Sequence, residues 1–493
     1  MSWLKNYPQF TSLLLGALSV FGFAPFDVFI LPIISLAGLF YLWDQSLTAK
    51  QAAKLGFVFG LGFFITGIYW IYISLHDVGG MPFWMAGFAT FLLCTFLALF
   101  PAFVGYLAKC STHSLNSAAI LWVLSEWVRS WIFTGFPWLA VGYSQVPFSQ
   151  LTGYASVLGV FGVSLAVTVS ASLLVLIFKK QCRKQAILGL VSLWILGAII
   201  SLIQWTSPIG NPTKVAILQG NIAQEMKWDE SITIKTINQY LGMAKQAQAD
   251  LVILPETALP VALALSQKDM SQDQVLAPFS AIAKQDHKAI LVGAVTQKEN
   301  AYFNSMLGIS ETDTIQNYHK SHLVPFGEFI PLKGILGWIY RDWLNMPLSD
   351  LSRGSTTQKP MMLAKQKIAV NICYEDVFGE EIIRQLPEAS LLVNASNDAW
   401  YGHSNAADQH LQFSQMRAVE TGRMVLRATN TGTTAIIDNK GYVLATVPQF
   451  TTIILNGSIQ GYMGSTPFIR LGNWAVISLL FIALILLWGR KKK

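Results

Sequence analysis

Three short segments hold the residue types needed to make and break an acyl bond. Leu254-Pro255-Glu256-Thr257-Ala258 puts a carboxylate just beyond an apolar run. Tyr318-His319-Lys320-Ser321-His322 supplies an ammonium and runs on through Val324-Pro325-Phe326-Gly327-Glu328. Asn371-Ile372-Cys373-Tyr374-Glu375-Asp376 ends another apolar run in a thiol. A thiolate attacks carbonyl carbon, and a positioned carboxylate can take its proton first. A lysine then stabilises the oxyanion together with a backbone N–H beside the cysteine. The same cation favours thiolate over thiol.

Taken singly, each residue has a plainer reading: a small core side chain, a capping carboxylate, a surface charge. As a set, each borders an apolar stretch where a stray charge is costly. Cys373 is the only cysteine beyond the first 205 residues, so its own domain offers it no disulfide partner. The four cysteines, Cys94, Cys110, Cys182 and Cys373, are too few and scattered for a disulfide framework or a CxxC metal site. The seven histidines form no HExxH-like spacing. His319 and His322 flank Lys320, but three-residue separation there is weak support for ligation. Neither a metal nor a cofactor is expected.

The elements that must position these groups lie between residues 206 and 470. Candidate strands are Lys214–Gly220, Leu251–Leu254, Ala289–Thr296, Ser305–Ile309, Ile368–Cys373, Leu391–Ala395 and Thr434–Ile437. Many are continuous apolar runs, as in strands buried on both faces. Helical stretches near 231–249, 271–286 and 405–422 separate several of them. The alternation predicts an α/β layered sandwich with reactive groups at strand ends.

The rest of the chain has a different composition. Of 493 residues, 53% are apolar and only 12% charged, about half the charge of a soluble domain. That excludes a purely soluble, disordered or collagen-like chain. Apolar runs long enough to approach a bilayer crossing fall near 9–26, 28–43, 55–75, 82–108, 118–133, 157–178, 186–204 and 473–489. The fifth carries Glu126 and Arg129, read as an intramembrane pair. No cleavable signal peptide is convincing. The organisation expected is a polytopic α-helical membrane bundle of about eight spans: 1–205 with seven helices, 206–470 facing water, and 471–493 as a final helix with a basic tail. The net charge of +7 sits largely in short loops, which favours a membrane surface over nucleic acid. Lys5, Lys50, Lys54, Lys109, Lys179, Lys180, Arg183, Lys184 and the Arg490–Lys493 tail share one side; the opposite loops, around 76–80 and 134–150, hold no lysine or arginine. By the positive-inside rule both termini are cytoplasmic and the large domain lies across the membrane.

Glu256, Lys320 and Cys373, in that order and context, resemble the triad of the nitrilase superfamily. The whole chain resembles the bacterial apolipoprotein N-acyltransferase family, which joins such a domain to eight membrane helices. The likeness runs through Phe23-Ala24-Pro25-Phe26-Asp27, Gly135-Phe136-Pro137-Trp138-Leu139, Gln219-Gly220-Asn221, Lys227-Trp228-Asp229 and Tyr302-Phe303-Asn304-Ser305. It continues through Ser396-Asn397-Asp398-Ala399-Trp400 and Arg427-Ala428-Thr429-Asn430-Thr431-Gly432. Small departures, Tyr401 in place of phenylalanine and Ala406-Ala407 in place of a proline-containing stretch, touch no triad residue.

The resemblance implies an α-β-β-α sandwich in the inner membrane with its catalytic domain in the periplasm. It implies that Cys373 takes an acyl chain from a phospholipid as a thioester and passes it to the N-terminal amine of a diacylglyceryl-cysteine lipoprotein. Glu256 would be the general base, Lys320 the oxyanion holder, and Glu328 a supporting carboxylate. Trp228, Trp138, Asn304, Tyr374, Glu375 and Trp338 would contact substrate. The expected partners are phospholipid, diacylated apolipoprotein and the bilayer, with no nucleic acid, and the chain acting as a monomer. The apolar, aromatic stretch 331–346, with Trp338 and Trp343, suits an arm at the membrane interface. The nearest alternative is a membrane-tethered amidase hydrolysing a carbon–nitrogen bond with the same triad; a transporter with an external binding domain predicts more charge within the spans than is present.

Overall fold

The computed structural model describes residues 7–111, 113–180, 182–223, 230–264, 274–312, 314–330 and 350–489. The chain divides into two compact units. One comprises residues 1–72, 82–204 and 466–493; the other comprises 73–81 and 205–465. The second unit therefore takes in a short segment from between the third and fourth apolar runs.

The first unit is helical. Its main helices are α1 (Pro8–Ser19), α2 (Ile30–Gln45), α3 (Ala49–Gly67), α4 (Phe83–Cys110), α5 (Ser114–Arg129), α6 (Ala155–Phe178), α7 (Arg183–Ser201) and α11 (Trp474–Gly489). Pro8 opens α1 at a position where a missing N–H costs nothing, and the Thr48 hydroxyl caps α3 by accepting from Gln51 N at 3.2 Å. Each of the eight apolar runs contains a helix, but they differ in length. Among the described residues, Phe83–Cys110, Gln150–Phe178 and Arg183–Ser201 are long and apolar enough to cross a membrane. Ala49–Gly67 joins Trp70–Val78 across a 50° bend as a fourth. α1, α2 and α11 are shorter, and α5 has 16 residues. Three or four of the eight expected spans thus have, among the described residues, the length and composition of a membrane crossing. The other runs are shorter for local reasons: the Phe23–Asp27 turn follows the first run, and the third bends after Gly67. Leu188, Ile195 and Leu486 stand largely exposed on α7 and α11, an apolar surface suited to lipid.

In the second unit the strands are β1 (Thr206–Gln219), β2 (Leu251–Ile253), β3 (Leu259–Ala264), β4 (Ala289–Lys298), β5 (Ala301–Ile309), β6 (Gln316–His319), β7 (Met361–Leu363), β8 (Gln366–Ile372), β9 (Leu391–Ser396), β10 (Val425–Thr429), β11 (Ala435–Ile437), β12 (Val443–Thr446) and β13 (Ile453–Gly464). A seven-stranded sheet runs β13-β1-β2-β4-β5-β6, with β3 also on β4; a six-stranded sheet runs β12-β11-β10-β9-β8-β7. β1-β2-β4 and β8-β9-β10 are the parallel cores. Strand alternation explains the unbroken apolar runs. Ala216, Leu218, Val252, Leu254, Ile290 and Val292 pack with Tyr240, Met243 and Phe279 of the helices α8 (Glu230–Gln246) and α9 (Ala277–Gln285). Val215, Ile217, Leu251, Ile253 and Leu291 between them are equally buried, on the face covered by the second sheet, where Gln366 Nε2 donates to Thr213 Oγ1 at 3.0 Å. Helix α10 (Ala406–Thr421) packs on the outer face of β10 and β11. The result is an α-β-β-α sandwich. The segment 73–81 forms a helical turn in which His76 Nδ1 lies 2.7 Å from Met81 O, and a Cβ on Gly402 would meet Ile73 at 2.8 Å.

Candidate active site

Glu256 leaves the carboxyl end of β2 and is 7% exposed. Its Oε1 accepts from Asn304 Nδ2 at 2.7 Å and its Oε2 from the backbone N–H of Asn397 at 2.8 Å. β4 supplies the space: a Cβ on Gly293 would strike the Pro255 carbonyl, the Thr257 nitrogen and Glu256 Cα. Only glycine lets this backbone lie so close, and Thr257 turns away at φ 46°. Gly293 is a site-building residue that the sequence did not single out.

Lys320 follows β6 and is 1% exposed. Its Nζ lies 2.9 Å from Glu328 Oε2, 3.0 Å from Glu328 Oε1 and 3.5 Å from Glu256 Oε1. Burial favours the neutral amine, but Glu328, Glu256 and the Cys373 sulfur outweigh that and hold the ammonium above the ordinary lysine range. Glu328 also accepts from its own loop at Val324 N, 2.8 Å. Asn304 on β5 donates to both carboxylates, reaching Glu328 Oε1 at 2.8 Å. One amide therefore spaces two acids around one cation.

Cys373 follows the last residue of β8 and opens a 3₁₀ turn, Cys373–Val377. Its φ of 51° lies in the left-handed region, a conformation that costs on the order of 1 kcal/mol for a non-glycine residue. Burial pushes its thiol up, Glu256 adds to that, and Lys320 opposes it. The sulfur thus sits within the fields of both charged partners. Glu375, two residues on, is 1% exposed and accepts from five donors. These are Ile372 N (2.7 Å), Tyr318 OH (2.9 Å), Ser321 N (2.6 Å), Ser321 Oγ (2.9 Å) and His322 N (3.1 Å). It ties the cysteine turn to the lysine loop. Burial raises its pKa despite those donors.

A second polar layer lies behind the thiol. The Cys373 carbonyl accepts from Asn394 Nδ2 at 3.1 Å, with His410 Nε2 at 3.2 Å. His410 Nδ1 is 3.0 Å from Asp398 Oδ1, and Arg427 Nη2 donates to Asp398 Oδ2 at 2.9 Å. None of these side chains is more than 2% exposed. Burial opposes ionisation of Asp398, yet Arg427 and His410 hold its carboxyl well below the usual range. Buried charges in mixed polar segments, Asp398 near the end of β9 and His410 in α10, were the available signal. Tyr401 also borders the site: burial, then the charges of Cys373, Asp398 and Glu256, drives its phenol well above the ordinary range.

Of the residues expected to contact substrate, Asn304, Tyr374 and Glu375 lie at this cluster. Tyr374 is 6% exposed and packs edge-on against Phe378 at 5.2 Å. The five donors around Glu375 occupy both of its carboxylate oxygens. Trp138 belongs to the helical unit, is fully buried, and packs against Trp70 at 4.7 Å and Phe136 at 6.3 Å. Trp228, Trp338 and the 331–346 arm lie outside the described residues. Glu126 and Arg129 are both 3% exposed and both serve the 136–141 turn: Glu126 Oε1 accepts from Val141 N at 2.9 Å, while Arg129 donates to the carbonyls of Phe136 and Trp138 at 2.6 Å. Among the described residues no cluster of three or more metal-ligating side chains occurs.

Residues 214–468 match the family model described as carbon-nitrogen hydrolase. The sandwich that carries the thiol, acid and ammonium is therefore a carbon–nitrogen hydrolase domain. Residues 15–173 match the model described as the apolipoprotein N-acyltransferase N-terminal domain. A protein of Nitrosomonas europaea named apolipoprotein N-acyltransferase is 48% identical over 482 residues, covering 96% of this chain and 95% of its own. One of the same name from Chromobacterium violaceum is 41% identical over 491 residues, covering 97% and 93%. This chain belongs to the apolipoprotein N-acyltransferase family.

Proposed function

We propose that the chain moves a fatty acyl group from a phospholipid to the N-terminal amine of a diacylglyceryl-cysteine lipoprotein, through a thioester on Cys373. The observation that carries this reading is the buried Glu256–Lys320–Glu328 cluster bridged by Asn304, set against a cysteine in a left-handed turn. Because the thiol is pushed up, little free thiolate exists at rest, and its proton leaves as attack occurs. Sγ bonds to the ester carbonyl carbon while Glu256 takes the thiol proton. Lys320, held as an ammonium, cannot serve as a base; it and the Tyr374 N–H receive the oxyanion. The carbon–oxygen bond then breaks, and Glu256 returns the proton to the departing lysophospholipid oxygen. In the second half the lipoprotein amine attacks the thioester, gives a proton to Glu256, and the carbon–sulfur bond breaks with reprotonation of Cys373. Glu328 orients Lys320 throughout.

Both substrates are held in a bilayer by acyl chains, so a membrane-anchored site turns a volume search into a lateral one. Lysine and arginine on one side support cytoplasmic termini and a periplasmic catalytic unit. The test is mass spectrometry of the purified enzyme incubated with phospholipid before any acceptor is added. An acyl adduct on Cys373, chased to a diacylated lipopeptide, is expected. Its absence, or transfer retained by Cys373→Ala, refutes the mechanism; ammonia release without transfer points instead to an amidase.

A further inference from the structure

His410 has no part in the steps above, yet it is fully buried directly behind the nucleophile. Both ring nitrogens face oxygens: Nδ1 is 3.0 Å from the Asp398 carboxylate and Nε2 is 3.2 Å from the Cys373 carbonyl. Neither oxygen can donate, since a backbone carbonyl has no proton and Asp398, paired with Arg427 at 2.9 Å, is ionised. A neutral imidazole would leave one lone pair against an oxygen. Only the doubly protonated ring satisfies both contacts. The charges nearby agree: Asp398 and Asp376 share one guanidinium, with Arg427 Nη1 3.5 Å from Asp376 Oδ2, so an imidazolium beside Asp398 adds a cation where carboxyl groups outnumber cations.

The Cys373 carbonyl and the Tyr374 N–H belong to one planar peptide unit. A cation hydrogen-bonded to the oxygen draws electron density toward it and makes the N–H a stronger donor, as in any polarised hydrogen-bond chain. We infer that His410 is a buried imidazolium that polarises the 373–374 peptide and so strengthens the amide that receives the oxyanion. Asn394 Nδ2, 3.1 Å from the same carbonyl, adds a neutral second donor. His410 touches no substrate and is a positioning residue. The inference rests on the oxyanion role proposed for Tyr374.

The test combines two measurements on the full-length, detergent-solubilised enzyme. Nitrogen-15 spectra of histidine-labelled protein, assigned with His410→Gln, should show a buried ring protonated at both nitrogens at neutral pH. In single-turnover acylation by a phospholipid with a labelled acyl chain, His410→Gln should acylate about 10- to 100-fold more slowly, short of the full loss of an oxyanion donor. Alkylation of Cys373 by iodoacetamide, which builds no oxyanion, should stay near the wild-type rate. A neutral ring, unchanged acylation, or alkylation that falls in step with acylation would each overturn the inference. If the variant does not fold, the spectrum of the wild type, assigned through His410→Asn, decides alone. Absence of any acyl adduct on wild-type Cys373 would instead remove the functional reading, while the ring's protonation would still stand or fall by its spectrum.

Discussion

Replacing Lys320 by methionine is the sharpest perturbation of this site. The side chain keeps most of its length and loses its charge. Its Nζ touches Glu328 at 2.9 Å and Glu256 at 3.5 Å, both in a region with almost no water. Removing one partner of a buried ion pair costs roughly 3–5 kcal/mol, because the remaining charge stays desolvated. Here two carboxylates remain, both held by Asn304 Nδ2 at 2.7 and 2.8 Å, so one takes up a proton. Loss of the oxyanion cation lowers kcat about 10²–10³-fold, and a proton shared with Glu256 disables the base as well. The decisive comparison is Lys320→Met/Glu328→Gln, which removes the surplus negative charge. Its thermal unfolding midpoint should recover most of the single variant's loss, with transfer still depressed. Scanning fluorimetry and a lipopeptide acylation assay read the two quantities. A double variant no more stable than the single one, or near-normal transfer by Lys320→Met, would refute the electrostatic reasoning.

Three further outcomes are expected. Glu256→Gln removes an anion that raises the Cys373 thiol, so the pH midpoint for iodoacetamide alkylation should move down while transfer is lost; an upward or absent shift counts against the assignment. Gly293→Ala should destabilise by about 1–3 kcal/mol through overpacking and lower transfer, because the added methyl meets the backbone around Glu256; a variant with normal stability and activity would show that this approach is not needed. Cys182 is exposed between Lys179 and Lys180, which follow α6, and Arg183 and Lys184, which open α7. In a chain whose other three cysteines are alanine, an impermeant maleimide should label it only after cells are permeabilised, and labelling of intact cells would reverse the proposed orientation.

The sequence was most readable where burial is continuous. β2, β4, β8 and β9 announce themselves as apolar runs because both faces are covered, and Cys373, Glu256 and the loop of Asn397 follow three of them. β13 was missed: Ile453–Gly464 is rich in Asn, Gln and Gly and is a strand through its long antiparallel pairing with β1, a partner distant in sequence. β6 and β7 have four and three residues, too few to show a period. Lys320 was found by its motif rather than by its element. Glu375 and Trp138 show the opposite difficulty. A carboxylate beside a nucleophile reads as a substrate contact, and only three-dimensional neighbours reveal that five donors already surround it. A tryptophan in a loop motif gives no sign of the Trp70 and Phe136 rings that pack against it. The Asp398–His410–Arg427 layer joins residues from separate elements, and nothing in their local spacing ties them together.

The grouping of residues 73–81 with the hydrolase fold bears on how this half of the molecule can be obtained. A fragment cut at 205 and 465 looks self-contained on paper, yet it would arrive without the turn that meets Gly402, beside the strip whose Asn397 amide steadies Glu256. On the ribosome that turn emerges more than a hundred residues before the sandwich that will close on it. Biosynthesis must therefore keep an early loop in reserve, and a truncated preparation would be expected to fold around a gap at the edge of its own chemistry.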